Sequence, residues 1–145
     1  MMESNTTLIE KFERFYTELT HVNLETLSDL YADDVTFVDP VTQHKGLPAL
    51  KLYFESLLEN CGSCTFDIFE RISLGDQATI TWQLNYTHPK LKGGQVIEVP
   101  GISVIKTQSG KICFQQDYYD LGAMLYEHVP VLGRMIQALR KRLAA

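Results

Sequence analysis

Apolar residues recur at helical spacing in the first third of the chain and alternate at strand spacing in most of the rest. Leu8, Phe12, Phe15, Tyr16 and Leu19 fall on one face of a predicted first helix, three to four residues apart. Thr7 followed by Glu10 has the spacing of a capping box at its start. Asn23 is placed to cap a second, short helix whose apolar stripe is Leu24, Leu27 and Leu30. Residues 35–38 are β-branched and aromatic, which predicts a strand ended by Asp39-Pro40. A third helix is predicted from Leu47, with Pro48 in the first turn, where a missing N–H costs nothing. It buries Leu50, Phe54, Leu57 and Leu58, and Gly62 suits its C-terminal cap.

Four longer strands follow, at 66–74, 78–87, 96–107 and 111–119, separated by turns at Gly75-Asp76, Gly93-Gly94 and Ser109-Gly110. Pro100-Gly101 inside the third of these predicts a bulge or sharp bend, and a sheet bent in this way curls. Residues 121–143 read as a helical stretch broken at Pro130. Its second half carries Leu132, Met135, Ile136, Leu139 and Leu143 on one face, a stripe suited to core or dimer contact. The expected architecture is therefore α+β: a cone-shaped roll of bent, mostly antiparallel sheet around N-terminal helices, with a C-terminal helix. No repeat, linker or low-complexity segment interrupts residues 1–145, which reads as a single domain.

Composition narrows the function. A net charge of −5 opposes a nucleic-acid partner, since phosphate binding needs clustered positive surface. The one dense basic run, Arg140-Lys141-Arg142, closes a helix, where cations offset the dipole. No apolar run approaches the roughly 20 residues of a membrane span, and the first residues do not have the form of a signal peptide. With an odd number of cysteines, three, the expectation is a soluble cytoplasmic protein with reduced thiols. Cys61-Gly62-Ser63-Cys64 is a C-x-x-C at a helix C-terminus. There the dipole disfavours a thiolate, so the spacing reads as incidental. His88 and His128 form no metal-ligand spacing, and neither a metal nor an organic cofactor is expected.

Two segments carry a resemblance. The run Leu30-Tyr31-Ala32-Asp33-Asp34-Val35-Thr36-Phe37-Val38-Asp39-Pro40, then Gly46, is similar to the first-strand motif of ketosteroid isomerases and SnoaL-like polyketide cyclases. Gly110-Lys111-Ile112 and Asp117-Tyr118-Tyr119-Asp120-Leu121 resemble the last-strand motif of limonene epoxide hydrolases and SnoaL-like proteins. Together with the element order, they identify the chain as similar to the nuclear transport factor 2-like superfamily. The resemblance implies a cone with a small-ligand pocket, frequently as a homodimer, and it leaves the reaction open, because this fold hosts many.

The resemblance also implies site residues. Asp39 stands where ketosteroid isomerases keep their general base, and Pro40 holds its backbone extended. The plainer reading of Asp39 is a turn or helix cap. The isomerase oxyanion hole pairs a tyrosine with a protonated aspartate; the matching positions here hold Phe15, beside Tyr16, and a residue on or near Ile102. Asp117 matches the last-strand acid of the epoxide hydrolases and cyclases, and shares a strand face with Cys113, Gln115 and Tyr119. The Arg and second Asp of the hydrolases correspond to Thr81 and Gln83, which argues against epoxide hydrolysis. Thr81, Gln83 and Asn85 form a polar face that suits a ligand site. Ile80, Trp82, Leu84 and Tyr86 form the opposite face, suited to core or to a dimer. His44, five residues after Asp39, is a further acid-base candidate.

The resulting expectation is an acid-base enzyme of isomerase, cyclase, dehydratase or hydrolase type, acting on a small apolar oxygen-bearing molecule without a cofactor. Asp39 and Asp117 are the catalytic candidates. Tyr16, Phe37, His44, Gln83, Asn85 and Tyr119 are the ligand contacts. The alternative is a non-catalytic module of the same fold, binding a small ligand or a protein.

Overall fold

The computed structural model describes residues 2–19 and 24–145, with side chains from residue 7 onward. In chain order the elements are α1 (Met2–Thr17), α2 (Leu27–Leu30), β1 (Tyr31–Val38), β2 (Gln43–Lys45), α3 (Leu47–Asn60), β3 (Ser63–Leu74), β4 (Gln77–Thr87), β5 (Ile97–Gln108), β6 (Lys111–Tyr119), α4 (Leu121–Met124) and α5 (Leu132–Ala144). The six strands form one sheet in the order β2-β1-β6-β5-β4-β3. Only β1 and β6 pair in parallel; the other neighbours are antiparallel. This is the α+β cone expected from the sequence: a curled sheet that does not close, with β2 and β3 as its edges.

Apolar periodicity decides which surfaces meet. Leu8, Phe12, Phe15 and Tyr16 of α1, Leu50 and Phe54 of α3, and Ile80, Trp82, Ile105 and Ile112 of the sheet are all buried in one core. Phe15 meets Phe54 edge-on at 5.3 Å, and Tyr16 meets Phe66 likewise at 5.1 Å. Each is an offset geometry that aromatic quadrupoles favour. Register shifts between Ile68 and Glu70 and between Lys106 and Thr107 bend the sheet around this core.

Several expectations change. α1 begins at Met2, so Thr7 lies within it; no proline or glycine among the preceding residues stops the helix. Asn23 lies outside the described residues; the turn it was expected to open is a 3₁₀ segment, Leu24–Thr26, leading into α2. β1 starts four residues earlier than predicted, at Tyr31. β2 is polar and short, and pairs Phe37 with His44. Gly62 does not cap α3. The cap is Cys61, in extended conformation, and Gly62 instead allows close approach to Thr87, donating to its carbonyl at 2.9 Å. Pro100-Gly101 carries no bulge, because pairing with β4 runs straight through both residues. Pro100 lies beyond the paired end of β6, which begins at Gly101↔Tyr119.

The C-terminal stretch is broken around Pro130, as the sequence predicts. α4 and a 3₁₀ turn at Tyr126–His128 precede it, and α5 follows. Asp120 caps α4, its Oδ1 accepting from the N–H groups of Gly122 and Ala123. The Asp120 carboxylate also pairs with Arg140, which reaches Glu127 at 3.5 Å. The apolar stripe of α5 is not core: Met135 is 59% exposed and Leu139 55%. Among the described residues, no helix is long and apolar enough to cross a membrane.

Candidate functional site

Alternation along β4 settles which side of the sheet faces the core. Ile80, Trp82 and Tyr86 are buried, so Thr81, Gln83 and Asn85 lie on the outer face. There Gln83 donates to Asn85, and Asn85 to Asp67. The expectation that Gln83 and Asn85 contact the ligand is corrected accordingly. The same observation places the apolar run 80–86 in the core, so it offers no dimer surface.

On the inner face, β5 and β6 set Ser103 directly opposite Asp117. The Ser103 hydroxyl donates to Asp117 Oδ1 at 2.5 Å and accepts from Trp82 Nε1 at 2.9 Å. Gln115 Nε2, two residues along the same face, donates to Asp117 Oδ1 at 2.9 Å. Its Oε1 accepts from the Tyr31 hydroxyl at 2.6 Å, which is itself 2.6 Å from the Tyr16 hydroxyl. Gln115 is wholly buried and its amide is used at both ends, as a buried polar group requires. The chain of bonds fixes Asp117 Oδ1.

Burial pushes the Asp117 carboxyl up to about 7; the bonds from Ser103 and Gln115 oppose that rise and the nearby charge of Asp39 adds to it. Among the described residues, no Lys or Arg pairs with either carboxylate. Near neutrality, Asp117 therefore exists in both protonation states, the condition for giving and taking protons. Burial, then the charge of Asp117, raises the Tyr16 hydroxyl well above its ordinary value. Tyr16 thus stays neutral, buried behind Asp117 as part of its support.

Asp39 takes the turn-capping role foreseen for it and also binds a side chain of α3. Its Oδ1 accepts from the N–H groups of Val41 at 2.8 Å and Thr42 at 3.0 Å, closing the turn between β1 and β2. Its Oδ2 accepts from the Tyr53 hydroxyl at 3.1 Å. Tyr53 stacks on His44 with ring centres 4.5 Å apart, and Phe37 packs beside both. Among the described residues, His44 Nε2 is buried with no hydrogen-bond partner, an uncompensated polar atom. Tyr119 packs on Trp82. Burial, then the charges of Asp39 and Asp117, raise its hydroxyl far above the ordinary tyrosine value, so it remains a donor.

An apolar cavity of about 520 Å³ opens between α3, β4 and α4, lined by Tyr53, Leu57, Leu84, Tyr86 and Met124 among others. Asp117 is not in its wall. Tyr53, which touches Asp39, and Tyr119, which feels both carboxylates and Tyr86, connect the cavity to them. Tyr86 holds α4 in place by donating to the Met124 carbonyl. A second depression of about 640 Å³, between α1 and β3, contains the Glu13–Arg71 ion pair and lies away from this cluster.

Sequence reasoning brought Asp39, Asp117, Phe37, His44 and Tyr119 to one region. It missed Tyr53, Ser103 and the Tyr31–Gln115 bond. Ser103 had a usable signal: it adjoins the Ile102 position singled out as an oxyanion-hole equivalent, and alternation turns it inward.

The family model described as a SnoaL-like domain matches residues 12–115. No curated protein matches the chain. Among solved structures, it is similar to a protein of ketosteroid isomerase-like fold from Catenulispora acidiphila, in complex with trimethylamine. That match has 22% identity and a TM-score of 0.69, covering 77% of this chain and 85% of that one. A proposed SnoaL-like polyketide cyclase from Jannaschia sp. CCS1 is 15% identical with a TM-score of 0.71, covering 83% of this chain and 90% of that one. TerC, co-crystallised with polyporic acid, is 19% identical with a TM-score of 0.68, covering 81% of this chain and 94% of that one.

Proposed function

Because the chain belongs to the SnoaL-like domain family, we propose that it is a small-molecule enzyme in which Asp117 moves a proton on an apolar, oxygen-bearing substrate. The observation that carries this reading is a carboxyl poised at about 7, with no cation beside it among the described residues, linked through Tyr119 to an apolar cavity. Asp117 Oδ2 takes a proton from carbon beside a carbonyl, and Tyr119 donates a hydrogen bond to the oxygen that gains charge. His44 Nε2 completes its hydrogen bonding on a polar atom of the substrate. Asp39 orients Tyr53 at the inner end of the cavity. Isomerisation and aldol-type ring closure both begin with this proton transfer. Small organic ligands in the similar structures from Catenulispora acidiphila and of TerC support a small-molecule role.

Deuterium exchange tests the proposal whatever the final product. Apolar cyclic ketones incubated with the protein in D₂O should gain deuterium beside the carbonyl faster than in buffer, as followed by NMR. Ketones that bind yet exchange no faster than in buffer would instead make the protein a non-catalytic binding module.

A homodimer belongs to the same proposal, formed through the α5 stripe of Leu132, Met135, Leu139 and Leu143, each left exposed. Sedimentation should give the mass of two chains for the parent and of one for Leu139→Glu. A parent that stays monomeric at all concentrations would remove the dimer.

A further inference from the structure

The geometry points to Cys61 and Cys64 as an oxidation site, a thiol pair that closes a disulfide in the wall of the ligand cavity and weakens binding there. This rests on the ligand-cavity reading above for its consequence, but not for the bond itself. Cys61 caps α3 and Cys64 opens the buried part of β3, and both side chains line the 520 Å³ cavity. The reversal between them is pinned from outside. Gly62 donates to the Thr87 carbonyl at 2.9 Å, and a Cβ on Gly62 would meet Thr87 Oγ1 at 2.6 Å. Ser63 Oγ lies 3.1 Å from the same Thr87 hydroxyl. Held by this strap, the two thiols share a hydrogen bond, and both are reduced.

The hydrogen bond also divides the labour. Cys64 supports the thiolate of Cys61, lowering that thiol below its ordinary value despite partial burial; the Cys64 thiol is raised in turn. The helix-terminus argument, which made the C-x-x-C incidental, is thus outweighed by a direct contact. His88 and Lys90 line the same mouth. With hydrogen peroxide as oxidant, the Cys61 thiolate attacks one oxygen and hydroxide leaves, taking up a proton to become water. The resulting sulfenic acid is attacked by Cys64 sulfur. The S–S bond forms, and the sulfenic oxygen leaves with the Cys64 proton as a second water. The thiol pair loses two electrons and the peroxide gains them. The new bond draws the end of α3 towards β3 and narrows the cavity between them.

The test uses purified, reduced full-length protein treated with hydrogen peroxide. Intact mass should fall by two hydrogens, titratable thiols should drop from three to one, and peptide mapping should join residues 61 and 64. Dithiothreitol should restore both readings, and neither Cys61→Ser nor Cys64→Ser should lose the hydrogens. Binding of 1-anilinonaphthalene-8-sulfonate should weaken about five-fold on oxidation, roughly 1 kcal/mol, and recover on reduction. Three thiols persisting under excess peroxide, a bond through Cys113, or a 61–64 bond that leaves probe affinity unchanged would each overturn the inference. A reduced protein that binds no probe counts against the cavity reading instead, since mass and thiol count report the bond independently.

Discussion

Asp117→Asn is expected to lose at least about 100-fold of any carbonyl-directed proton exchange and, at the same time, to gain stability over the parent as pH rises. The first effect follows from replacing the group proposed to cycle its proton with one that cannot. The second follows from linkage. The carboxyl is raised from 3.8 in the unfolded chain to about 7 in the folded one, so the folded state binds the proton more tightly. That contribution is fully present below about pH 4, declines through the interval up to about 7, and is absent above it. At about 1.36 kcal/mol per pH unit, a fully enclosed group would lose about 4 kcal/mol across this window. Asp117 keeps some accessible surface, so about 2 kcal/mol is the expected difference between parent and Asn variant at pH 8, falling to near zero at pH 4. Urea unfolding at the two pH values measures it. Equal pH dependence in both proteins would show that Asp117 is solvated in the fold.

Gly101→Ala is expected to destabilise the protein by about 2–3 kcal/mol and to disturb the site from behind. A Cβ on Gly101 would lie 2.3 Å from Trp82 Cη2, with two further ring carbons at 2.6 and 2.7 Å. The ring has little room to retreat: Trp82 is 3% exposed, meets Phe66 edge-on, and spends its indole N–H on Ser103. Ser103 in turn holds Asp117. Trp82 is the single tryptophan, so its fluorescence reports both unfolding and ring displacement. Adding Trp82→Phe should recover part of the lost stability by vacating the contested space. A Gly101→Ala protein as stable as the parent, with unchanged fluorescence, would mean the two strands separate freely at this point.

Local patterns made much of this fold legible. The helical recurrence from Leu8 to Leu19 and the β-branched and aromatic runs of the long strands each point to one element type. What stayed hidden depends on register between distant segments. β2 has no apolar residue of its own and exists through its pairing with β1. Gly101 looks like a bulge until Trp82 is placed across from it. Gln83 and Asn85 looked like pocket residues because β4 alternates cleanly in both directions. Only contact with the helices and the neighbouring strands decides which side turns inward. The support behind Asp117 is the extreme case, since Tyr31 and Gln115 are 84 residues apart. Asp39 and Asp117 were visible because the family motifs run through them; Tyr53, on the helix between, had no such marker.

The proposed acid-base chemistry depends on one carboxyl, and NMR titration of the Asp117 side-chain carbon tests it most directly, with Asp117→Asn assigning the resonance. A midpoint near 7, as its burial and the neighbouring Asp39 require, would establish a group able to exchange protons beside the cavity. A midpoint near the ordinary value of about 4 would contradict that role, leaving Asp117 a solvated anion and the proton transfer without its agent.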